Sequence, residues 1–134
     1  MLATAIKLAE EHGARVDVVH VVRVPLELPL DAELAEAESR ARESLVDAKE
    51  LGAEHGVEIE GEIVRARSIG EAIVEKAAAD EADLILLGSA PHWRRQSRFF
   101  SPTVDYVLRK APCQVMVVAY PQGVLEGDVA GIDD

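Results

Sequence analysis

A single cysteine, Cys113, is all the sequence offers toward a disulfide, so no intramolecular bridge is possible and a reducing, cytoplasmic setting is expected. No apolar run approaches the roughly 20 residues needed to span a bilayer. The N-terminal MLATAIKLAEEHG carries charges within its first turns and no small-residue cleavage site, so a signal peptide is not expected. Basic residues are in short supply, 14 against 25 acidic ones, for a net charge of −11. That excess repels a phosphate backbone and argues against general nucleic-acid binding. Aromatics are scarce as well, and Trp93, Phe99 and Phe100 lie together in one stretch.

What is present reads as one domain over residues 1–120, followed by an acidic tail over 121–134. Leu2, Ala5, Ile6 and Ala9 recur at helical spacing until Gly13. Arg15 to Val22, RVDVVHVV, suits a mostly buried strand. After Pro25 and Pro29, Asp31 is placed to cap a long helix running to about His55, with Leu34, Ala37, Ala41, Leu45, Ala48 and Gly52 along one face. From Val57 to Val64, Val57, Ile59 and Ile63 alternate with Glu58, Glu60 and Glu62, the pattern of a strand with one wet face near a sheet edge. Ser68 and Glu71 form a capping box for the next helix. Leu84 to Leu87 is an all-apolar strand, and Gly88 to Phe100 a loop. Ser101 and Pro102 suit the N-cap and first turn of a last helix, and Cys113 to Ala119 a last strand.

The order α-β-α-β-α-β-α-β predicts a doubly wound, open parallel α/β sheet of Rossmann-like type. A fold of this class ordinarily opens with a strand, whereas here a helix opens at residue 2. A missing first strand leaves backbone groups needing partners, to be met by residues upstream or by another chain or segment.

Ligands of such sheets sit beyond the C-terminal strand ends, which here include the Gly88 loop. Arg94, Arg95 and Arg98 form the only tight basic cluster without an intervening acid, close before the helix that begins at Ser101. Two readings stand: an anion or nucleotide-phosphate site, or a solvated loop whose arginines pair with surplus acids. His92 and Trp93 lie in the same loop; its aromatics could meet a partner or plug an empty pocket. The four histidines have no metal-ligand spacing, and Cys113 has no nearby histidine to activate it, so it reads as a structural thiol. Ser89, His92 and Asp105 can be drawn as a triad, but no G-x-S-x-G elbow surrounds the serine.

The run ADLILLGSAPHWRRQSRFFSPTVDYVLRKAPCQVMVVA resembles the C-terminal half of a universal stress protein domain, and DVVHVV resembles that family's second strand. The most distinctive part is Asp105 to Arg109, DYVLR, followed by Ala111, Pro112, Cys113 and Val115. The resemblance runs from residue 2 to about 120. It implies a site built on a loop of the form G-x2-G-x9-G-[ST], whose glycines let backbone wrap phosphates. Gly88 keeps the first glycine; Pro91, Ser101 and Pro102 replace the second, the third and the terminal hydroxyl residue. Val21 and Leu87 fall on further contact positions, and Thr103 on one more often held by valine. The family's aspartate on the first strand has no counterpart. The resemblance therefore implies no ATP or AMP cofactor of the usual kind, no metal and no catalysis: a regulatory or interaction domain with a degenerate loop. The alternative it leaves is a nucleotide or anion sensor using Arg94, Arg95 and Arg98. It also implies a homodimer through Gln114 to Val118, and it extends to domains appended to amino-acid permeases, so a transporter is a candidate partner.

Overall fold

The computed structural model describes residues 1–89 and 101–119, Ser89 by its backbone alone. Helices and strands alternate in the expected order: α1 (Leu2–His12), β1 (Val16–Arg23), α2 (Ala35–Glu54), β2 (Ile59–Ala66), α3 (Ile69–Ala79), β3 (Leu84–Ser89), α4 (Pro102–Lys110) and β4 (Gln114–Ala119). Pairing is parallel throughout, β1 with β2 and β3 with β4. Each pair is joined by a crossover containing a helix, as parallel strands require. The four strands thus form two two-stranded ladders rather than one continuous run, and no described strand belongs to both. The chain divides accordingly into two compact units, Leu2–Arg67 and Ser68 onward.

In Leu2–Arg67 the core gathers Ile6 and Ala9 from α1, Ala48 from α2, and Val57 and Ile59 at the start of the second strand segment. Small residues on α2 bring it close to the sheet: Ala41, Ala48 and Gly52 are its buried positions. A Cβ at Gly52 would stand 2.5 Å from Ile59 Cδ1 and 2.8 Å from the Val57 carbonyl oxygen. In β2 Ile59 is buried while Glu60 and Glu62 are exposed, so the alternation does mark a wet face. β2 begins at Ile59, two residues later than the alternation predicts. The Val57 N–H donates to the Gly52 carbonyl at 2.9 Å, closing the exit from α2 before the ladder starts.

The start of α2 also differs from expectation. It opens at Ala35, with Leu34 at the cap position and no side-chain acceptor there. Asp31 lies in a turn instead, where the Ala32 N–H donates to the Pro29 carbonyl at 3.0 Å. Arg65, from the far end of β2, donates to the carbonyls of Leu30 and Ala32 and pairs with Glu38, fixing this stretch from outside the helix.

From Ser68 onward the core is Ala77, Ile85, Leu87, Val104 and Val107, with Cys113, Val115 and Val117 packed against it. The caps predicted for these helices are present. Ser68 Oγ accepts from the Glu71 N–H at 3.3 Å, and Ser101 Oγ from the Val104 N–H at 3.2 Å. Val104 and Val107, three apart on α4, are fully buried. No described helix is long and apolar enough to cross a membrane.

Candidate functional site

The crossover from β3 to α4 carries the residues singled out for a ligand. At its near end Leu87 and Gly88 are buried on β3, in register with Val117 and Val118 of β4. At its far end Ser101, Pro102 and Thr103 open α4, with Ser101 and Thr103 both buried. Pro91, His92, Trp93, Arg94, Arg95, Arg98, Phe99 and Phe100 lie outside the described residues. The structure thus places Leu87, Gly88, Ser101, Pro102 and Thr103 in one unit, around one crossover. Val21 belongs to the other unit, buried on β1 opposite Val64.

A helix N-terminus holds an anion through its first backbone N–H groups and the dipole behind them. In α4 these groups are already depleted. Pro102, at the first helical position, has no N–H. The Val104 N–H is taken by Ser101 Oγ. The Ser101 oxygen thereby caps the helix by accepting, which leaves its O–H as a donor. Asp105 adds a carboxylate to the first turn, the sign that suits the dipole and opposes a second anion. It pairs with Arg109 one turn on, at 3.2 Å and largely exposed, so its charge is only partly offset. The weight of Asp105 against an anion site was available from its spacing to Pro102 and is absent from the motif comparison alone.

The remaining sequence candidates are placed as follows. Cys113 is half-buried against the core of its unit. His55 caps the end of α2, with Nδ1 3.5 Å from Glu10 Oε1, and His12 ends α1. Among the described residues no three His, Cys, Asp or Glu side chains converge as a metal site. A shallow cleft lined by Glu10, Arg15, His55 and Glu58 lies at the opposite end of β1 from Val21.

The model of the universal stress protein family matches residues 1–119. The chain belongs to the universal stress protein family. A universal stress protein of Methanocaldococcus jannaschii is 31% identical over 124 residues, 88% of this chain and 72% of that protein. Among solved structures, the universal stress protein of Archaeoglobus fulgidus superposes with a TM-score of 0.72 at 23% identity, covering 87% of this chain and 85% of the other. The same organism's protein in complex with dAMP gives 0.67 at 24% identity, covering 87% and 83%. These likenesses establish the α/β fold. In this universal stress protein the crossover that follows β3 keeps one glycine at its start and opens its helix with serine and proline.

Proposed function

We propose that this chain is a non-catalytic regulatory or interaction member of its family, with a phosphate loop that no longer serves ATP. The observation that carries the reading is the head of α4. A proline without an N–H in the first turn, a Val104 N–H taken by the cap and an acid behind them leave few backbone donors with which to hold a phosphate. Pro91, in the stretch that would wrap the phosphates, removes a further backbone donor.

Partners then carry the function. Among the described strands β4 pairs only with β3, which leaves an outer edge for a second copy of Gln114 to Val118. A cytoplasmic setting and a transporter or other protein partner fit the same reading. A second reading is favoured by two structural neighbours, one solved with dAMP and one with cAMP. In that case Arg94, Arg95 and Arg98 replace the glycines as phosphate ligands.

Calorimetric titration of the purified chain with Mg-ATP, AMP and cyclic AMP separates the two. No heat from a folded sample supports the degenerate loop. Micromolar binding that vanishes in the R94A/R95A/R98A variant overturns it in favour of the sensor.

A further inference from the structure

The segment between β1 and α2, VPLELPLDAEL, carries three leucines in alternate positions. Leu26 is 84% exposed, Leu28 36% and Leu30 51%. Single exposed leucines need no explanation; three within five residues call for one. The backbone beneath them is tied down. Arg67 donates to the carbonyls of Val24 and Pro25, and Arg65 to those of Leu30 and Ala32 while pairing with Glu38. Turns from Leu28 to Pro25 and from Ala32 to Pro29, at 3.1 and 3.0 Å, close the segment on itself. With its carbonyls turned to the two arginines and two prolines limiting its backbone, the segment presents its leucines without the ordering cost a loose loop would carry on binding.

The charges carried by the segment itself have one sign, although the exposed Arg23 precedes it and Arg65 and Arg67 hold its carbonyls. Glu27, Asp31, Glu33 and Glu36 are exposed, and residues 24–36 contain no lysine, arginine or histidine. A second copy meeting the patch through the same segment would set these acids against their own duplicates, which is unfavourable. An anionic lipid surface is repelled for the same reason. We propose that the Leu26–Leu30 segment is a docking site for an amphipathic, lysine- or arginine-rich helix of a partner protein, its apolar stripe covering the leucines and its basic flanks meeting the acids. This deepens the interaction-module reading and rests on it for the existence of a partner; the nucleotide titration tests that reading separately.

The probe is a Leu/Lys amphipathic helical peptide titrated into the full chain, with a Ser/Lys peptide of equal charge as control. The Leu/Lys peptide is expected to bind, more weakly as salt rises, and the L26S/L28S/L30S variant, whose charge is unaltered, to lose about tenfold or more in affinity. An R67A variant, verified as folded by circular dichroism, keeps every leucine but frees the start of the segment and is expected to bind more weakly. Absence of binding overturns the proposal, as does equal binding of the control peptide or unchanged affinity in the triple variant. Leucine-dependent self-association in sedimentation would assign the patch to a second copy and overturn it equally.

Discussion

Glu81 closes α3 with a φ of 52°, a region that costs an ordinary side chain about 1–2 kcal/mol. Gly13 and Gly56 do the same work after α1 and α2 with φ of 64° and 68°, where the absence of a Cβ removes that cost. Replacing Glu81 by glycine should therefore stabilise the protein, by up to about 1 kcal/mol once the greater freedom of glycine in the unfolded chain is subtracted. A rise in the urea midpoint at unchanged slope would show it. Gly52 stands in the opposite situation. Its Cβ position is filled by the Val57 carbonyl and the Ile59 side chain, so Gly52→Ala must move backbone or strand and should cost roughly 1–3 kcal/mol by the same measurement.

At the scale of elements, α4 depends on its cap. Ser101→Ala removes the acceptor for the Val104 N–H and is expected to lower stability by about 1 kcal/mol. On the degenerate-loop reading the same variant leaves the nucleotide titration unchanged, whereas a loss of binding would show the Ser101 O–H donating to a phosphate. Ser101 and Ser68 were readable as caps because capping is a local interaction between residues three apart in sequence. Asp31 was misleading for the converse reason. What fixes residues 30–32 is Arg65, more than thirty positions away, and nothing near Asp31 announces it. The start of β2 failed similarly: Val57 fits the strand alternation, yet its N–H is spent on the end of α2. Of the candidate site, Gly88 and Ser101 to Thr103 were legible from motif position and fall around one crossover. Val21, assigned from a separate contact position of the resemblance, belongs to the unit Leu2–Arg67.

At the scale of the whole molecule the feature with the widest reach is the edge of β4 that pairs with no other described strand. If two copies join there in antiparallel fashion, residues near the middle of the strand face their own duplicates. Met116, exposed on β4, is such a residue. Met116→Lys should set like charges across the join and shift sedimentation from dimer toward monomer, while Leu108→Lys, on the exposed face of α4, should leave it unchanged. A wild-type chain that sediments as a monomer at all concentrations would remove the dimer.

The two ladders have a consequence for how the molecule is made. Every strand bond of the first, from Val16 opposite Ile59 to Arg23 opposite Ala66, is available once residue 67 has left the exit tunnel. The second, from Leu84 opposite Gln114 to Ser89 opposite Ala119, waits for residue 119 to emerge. A growing polypeptide can therefore pair β1 with β2 on the ribosome while β3 still lacks its partner, its apolar LILLG run bare for as long as α4 and β4 remain inside the exit tunnel.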